Sequence, residues 1–127
     1  MRILLADDET KVRFALRVLL ERQPGLEVVG EALNASEMLS QVAVVCPELV
    51  LLDWELPGLE GKVSLASLQQ ACPQTVVVAL SGHLEAGSAA LDAGADGFVC
   101  KCESPEHLLR AIRDCAPVTR LQAIEVH

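Results

Sequence analysis

Tyrosine is missing from this chain, and its aromatic side chains amount to one tryptophan and two phenylalanines. With 51% of residues hydrophobic and only 2% aromatic, a core has to be filled by Val, Leu, Ile and Ala. That filling suits a parallel sheet covered by helices. Basic charge is scarce too: ten Lys and Arg against eighteen Asp and Glu leave a net charge of −8. A chain of that sign has no basic face with which to grip nucleic acid or an anionic membrane by itself. No apolar run approaches the roughly 18 residues that span a bilayer. The N-terminus MRILLADDET turns acidic where a signal peptide would stay apolar up to a cleavage site. The chain is therefore expected in the cytoplasm, with no membrane partner.

At 127 residues it is one domain by length, large enough to bury about two thirds of its unfolded surface without a covalent or metal staple. Its five cysteines, Cys46, Cys72, Cys100, Cys102 and Cys115, include no CxxC pair and no His at zinc spacing. They are expected to be reduced and mostly buried. Cys100-Lys101-Cys102 is read as two thiols on opposite faces rather than as a redox pair.

What is present in quantity is the buried-strand pattern. Leu49-Val50-Leu51-Leu52 is an uninterrupted apolar run ending in Asp53, and Pro57-Gly58 then turns the chain outward. Arg2 to Ala6 is a shorter run of the same kind that ends in Asp7-Asp8-Glu9, and Thr75 to Leu80 is another that ends in Ser81-Gly82-His83. Ala95 to Cys100 ends in Lys101, and Leu26 to Ala32 is a less apolar strand suited to a sheet edge. Between these, apolar residues at helical spacing predict helices over Thr10 to Arg22, from Asn34 or Ser36 to about Val45, from about Gly61 to Ala71, and from roughly Leu84 to Ala93. A last helix begins at Ser104-Pro105-Glu106, with a capping hydroxyl and an early proline, and runs through Leu108, Leu109, Ile112 and Cys115. Five strands alternating with five helices predict a doubly wound α/β domain with right-handed crossovers. Residues 117–127 read as a tail or the start of a linker.

Parallel strands deliver their carboxyl ends to one edge, so Asp7, Asp8, Asp53, Ser81 and Lys101 should converge there although the sequence scatters them. Three carboxylates packed together repel one another and call for a cation, and oxygen ligands favour Mg²⁺. With a metal and the Lys101 ammonium nearby, Asp53 at the centre can attack phosphorus and become an aspartyl phosphate. Ser81 then offers a hydroxyl donor, and Lys101 a point charge, to the phosphoryl oxygens. Taken singly, Asp7 or Asp8 could cap the first helix, Ser81 could serve a turn and Lys101 could be a solvated lysine. Their joint order along the strand ends carries the specificity.

In these features the chain resembles the receiver domain of bacterial two-component response regulators over residues 1–116. The runs ILLADDE, LVLLDWELPG, VVVALSGH and GADGFVCK carry the likeness. It implies a flavodoxin-like doubly wound five-stranded parallel sheet in the order 2-1-3-4-5 with five helices. It further implies that Asp53 accepts a phosphoryl group from a sensor histidine kinase, and that Asp7, Asp8, Asp53 and the backbone carbonyl of Glu55 hold Mg²⁺. Ser81 and Lys101 would bind the phosphoryl group, and Ser81 and Phe98 would act as the switch pair. DWELPG and GADGFVCK are most similar to the subfamily whose receivers precede a helix-turn-helix domain. The chain is thus expected to be either a stand-alone receiver or, in preference, a receiver separated from a longer regulator, homodimeric on phosphorylation and reaching DNA only through an output domain outside these residues. Two departures stand out: Cys102 follows the site lysine where many receivers place a proline after a cis bond, and Gly82 and Phe98 replace the frequent Ala and Tyr.

Glu55 and His83, flanking the site, are expected to tune the lifetime of the phosphoryl group. Two rival readings are a haloacid dehalogenase-type phosphatase and a constitutive binding module that is never phosphorylated. The first wants a second Asp two residues past the nucleophile, where this chain has Glu55. The intact acidic cluster argues against the second.

Overall fold

In the computed structural model, which describes residues 1–115, strands and helices alternate without interruption. They are β1 (Arg2–Ala6), α1 (Thr10–Glu21), β2 (Glu27–Ala32), α2 (Ala35–Val45), β3 (Leu49–Asp53), α3 (Lys62–Ala71), β4 (Val76–Ser81), α4 (Ala86–Asp92), β5 (Gly97–Cys100) and α5 (Pro105–Asp114). All five strands run parallel in the order β2-β1-β3-β4-β5. This is the flavodoxin-like arrangement, with β2 at an edge as its mixed composition requires. The expected tail over 117–127 lies outside the described residues.

Because the sheet is covered on both faces, every residue of β3 is buried, and alternate residues feed two cores. Leu4, Ala6, Val50 and Leu52 pack with Met38, Val42, Leu65 and Leu68 on the α2 and α3 side. Ile3, Leu5, Leu49 and Leu51 pack with Leu20, Leu108 and Ile112 on the α1 and α5 side. Each fully buried Leu or Ile contributes about 1.5 to 3 kcal/mol of transfer free energy, so two aliphatic cores stabilise the domain without aromatic filler. The capping signals divide. Asn34 caps α2 by accepting from the Glu37 amide at 2.9 Å. Ser104 makes no such bond to the backbone of α5: its hydroxyl meets His107 Nδ1 at 2.9 Å instead.

The expectation of separate, mostly buried thiols fails: four of the five cysteines are paired, and only Cys72 and Cys100 are buried. Cys46 is joined to Cys72 and Cys100 to Cys102, and Cys115 is free. Cys46 and Cys72 are the C-caps of α2 and α3, which end side by side with the two Cα atoms 5.7 Å apart. Cys100 and Cys102 do not lie on the expected opposite faces, since side chains two residues apart on a strand share a face. In addition, the chain turns at Lys101, the Glu103 amide donating to the Cys100 carbonyl at 3.0 Å. Every peptide bond among the described residues is trans, that between Lys101 and Cys102 included.

Candidate functional site

The carboxyl ends of β1, β3 and β4 are shaped by one repeated local device. Asp7 Oδ1 accepts from the Glu9 amide at 2.9 Å, Asp53 Oδ1 from the Glu55 amide at 3.0 Å, and Ser81 Oγ from the His83 amide at 3.0 Å. In each case a short polar side chain bonds the backbone two residues on, which breaks the strand and fixes the side chain at the sheet edge. Asp7 is 2% exposed, Asp53 3% and Ser81 not at all.

These ends meet as parallel topology demands. Asp7, Asp8 and Asp53 each place a carboxylate oxygen within 4.8 Å of the others, Asp8 from an exposed position. Lys101, just past β5, reaches Asp7 Oδ2 at 3.1 Å and Asp53 Oδ1 at 3.5 Å. One ammonium among three carboxylates leaves the cluster net negative. Burial pushes the Asp53 carboxyl above its ordinary range; the Glu55 amide opposes this, the Asp7 charge adds to it and Lys101 opposes it. Burial alone would lower the Lys101 ammonium, but the hydrogen bond to Asp7 and the charges of Asp53 and Asp7 outweigh it and raise its pKa. Three close oxygen donors of like charge, two of them buried, fit a divalent cation of the Mg²⁺ class.

The other expected residues lie around this centre in different attitudes. Ser81 Oγ donates to the Glu55 carboxylate, 3.0 Å from each oxygen, so these two are joined across β3 and β4. The His83 ring is 69% exposed and turned to Glu85, 3.7 Å from its carboxylate, and only its amide faces the site. Phe98 is half-buried on β5, its ring so close to Gly87 that a Cβ there would lie 2.9 Å from it. Trp54 packs against the α2 and α3 core while its amide donates to the Leu80 carbonyl at 2.7 Å, beside Asp53.

One support was not anticipated from the sequence. Arg13 donates to the Asp7 carbonyl at 2.7 Å and to Glu31 at 2.8 Å, and Arg17 also donates to Glu31. Glu31 is held below the usual carboxylate range, first by the Arg17 bond and, against some burial, by Arg13. The only signal available was two arginines four apart on one helix face.

A doubly wound sheet whose carboxyl edge gathers an acidic triad, a hydroxyl and a lysine defines a class: flavodoxin-like domains with an acidic, cation-accepting site. Within that class the chain belongs to the response regulator receiver domain family, whose profile matches residues 3–113. It is 36% identical over 116 residues to the nitrate/nitrite response regulator protein NarL of Escherichia coli, covering 90% of this chain. It is 42% identical over 116 residues to the transcriptional activator protein ExaE of Pseudomonas putida, covering 89% of this chain. The chain spans 54% of the length of each of these regulators. Among solved structures, the signal receiver domain of the putative response regulator NarL from Mycobacterium tuberculosis superposes with a TM-score of 0.81 at 28% identity, over 90% of this chain and 94% of that one. No helix among the described residues is long and apolar enough to cross a membrane.

Proposed function

We propose that the chain is the phosphoacceptor domain of a cytoplasmic two-component regulator, phosphorylated on Asp53 by a sensor histidine kinase. The observation that carries this reading is the meeting of Asp7, Asp8 and Asp53 oxygens within 4.8 Å, with Lys101 3.5 Å from Asp53. Asp7, Asp8, Asp53 and the Glu55 carbonyl would hold Mg²⁺, which when bound supplies positive charge to the phosphoryl oxygens. An Asp53 oxygen attacks the phosphorus of the kinase phosphohistidine, the N–P bond breaks, and an aspartyl phosphate results. Lys101 neutralises charge on the transferred group. Ser81 donates to a phosphoryl oxygen once its hydroxyl leaves Glu55.

Phosphorylation adds about −1.5 to −2 charges at Asp53. Drawing Ser81 inward, with Phe98 moving in step, biases the surface of α4 and β5 toward a second copy of the chain. DNA would be reached through an output domain outside these residues, in keeping with the transcriptional roles named for the relatives. The chain itself catalyses only its own phosphorylation and dephosphorylation.

The test uses the lone Trp54 beside Asp53. Mg²⁺ followed by beryllofluoride should change its fluorescence, and incubation with a small acyl phosphate should add one phosphoryl group mapping to Asp53. Silence in both assays would make the chain a constitutive binding module, and steady turnover of phosphate esters would make it a phosphatase. Because Glu55 competes for the Ser81 hydroxyl, Glu55→Ala is expected to lengthen the aspartyl phosphate lifetime about threefold or more. His83→Ala should alter it less, since its ring turns away. Unchanged lifetimes in both variants would remove these two side chains from the control of dephosphorylation.

A further inference from the structure

Lys101 is flanked on both sides by cysteine, and the fold brings those cysteines together. Cys100 closes β5 and is 1% exposed, whereas Cys102 is exposed in the following turn. The turn is closed by the Glu103 amide on the Cys100 carbonyl at 3.0 Å, and the Lys101 amide is pinned to the Ser81 carbonyl at 2.7 Å. Chain reversal at Lys101 returns Cys102 over Cys100, its amide 3.4 Å from Cys100 Sγ. The two Cα atoms are 5.2 Å apart, within the span of ordinary disulfides, and the sulfurs are joined. The closed ring contains the whole backbone of Lys101, the residue whose ammonium contacts both Asp7 and Asp53.

We propose that Cys100 and Cys102 form a reversible thiol–disulfide site that reacts with small-molecule disulfides and sets how firmly Lys101 is held against Asp53. The second half rests on the reading of Asp53 as phosphoacceptor; the first does not. In a reducing compartment, paired cysteines are characteristically transient and redox-responsive rather than structural. The exposed Cys102 sulfur is the one an incoming disulfide can reach. It forms a mixed disulfide and releases one thiol; the Cys100 sulfur then displaces the second thiol from Cys102 and closes the internal bond. Two cysteine thiols are oxidised, one external disulfide is reduced to two thiols, and both S–H protons end on the released thiols. An excess of dithiol runs the exchange backwards.

The closed ring restricts the backbone on both sides of Lys101, so the ammonium extends from a fixed base toward the two carboxylates. Opening it returns backbone freedom to the turn, and the lysine spends less time in its place over Asp53. Cys46 and Cys72, joined at the opposite sheet edge where α2 and α3 end, give an internal comparison.

The test equilibrates the full chain and Cys102→Ser in oxidised glutathione or in dithiothreitol, maps disulfides by peptide mass, and measures phosphoryl uptake from a small acyl phosphate with Mg²⁺. The Cys100–Cys102 bond should form in the first buffer and open in the second. Opening should slow uptake by about threefold to tenfold. Cys102→Ser, exposed and so compatible with folding, should show the slow rate in both buffers; effects of the other cysteines would appear in both proteins and cancel. Absence of the mapped bond overturns the modification site. A mapped bond with equal or faster uptake after opening overturns the hold on Lys101. No uptake in either buffer, with the bond mapped, refutes the phosphoacceptor reading and the hold together, while the modification site is upheld.

Discussion

At the amino edge of the sheet, polar groups meet partners of opposite character. Arg2 donates to the Cys46 and Val45 carbonyls at 3.2 and 2.9 Å, and the buried Thr75 hydroxyl donates to the Pro47 carbonyl at 2.7 Å. Asp96 accepts from the Val77 amide at 2.9 Å. At the carboxyl edge the same backbone carries three converging carboxylates with one lysine between two of them. The first edge is arranged for stability, and the second tolerates repulsion that Lys101 relieves in part and an added cation would relieve further. In one small domain, then, the cost of a charged site at one end of the strands is offset by satisfied polar contacts at the other.

The substitution that tests this contrast hardest is Asp53→Asn. Without the carboxylate nucleophile, phosphoryl uptake should fall by at least about a hundredfold. Measured with a chelator present, the variant should also melt at a higher temperature than the parent, because one of the crowded like charges is gone. A lower melting temperature would mean that Asp53 is stabilising and that the edges do not differ as described. Thr75→Val makes the opposite demand. It leaves the buried Pro47 carbonyl without its donor, at a cost of about 1 to 3 kcal/mol read as a lower urea midpoint, with phosphoryl uptake unchanged.

Much of this contrast was legible before any coordinates. Apolar runs such as Leu49 to Leu52, bounded by turn residues, read as strands buried on both faces, and parallel topology then brings Asp7, Asp53, Ser81 and Lys101 to one edge. Illegible were contacts that depend on which elements become neighbours. Arg13 reaches the Asp7 carbonyl only because α1 lies along β2 and presents it beside Glu31. Glu55 meets Ser81 only because β3 pairs with β4 in the register Asp53 to Leu80. The joining of Cys46 to Cys72 needs α2 and α3 to end at one point, which helical spacing within either segment does not encode. Ser104 has the residue type of a cap, yet the nearby His107 ring takes its hydroxyl.

The carboxyl edge is not uniformly repulsive, and Glu31 shows where its charges are matched. Folding lowers the Glu31 pKa through Arg17 and Arg13. The stability it contributes is therefore present above its ordinary value of 4.5 and is lost as pH falls through the lowered folded value. Because its side chain is 32% exposed, the contribution is screened by solvent. Glu31→Gln should cost about 0.5 kcal/mol at pH 7, less in high salt, and almost nothing in strong acid. Urea titrations across pH would read this directly. If the variant lost the same stability in acid as at neutrality, the neutral hydrogen bonds of the amide would be the weak point rather than the ion pairs. If it lost several-fold more at pH 7, the excess would point to Glu31 holding Arg13 on the Asp7 carbonyl, so that the acidic site owes part of its shape to the Glu31, Arg13 and Arg17 cluster beside it.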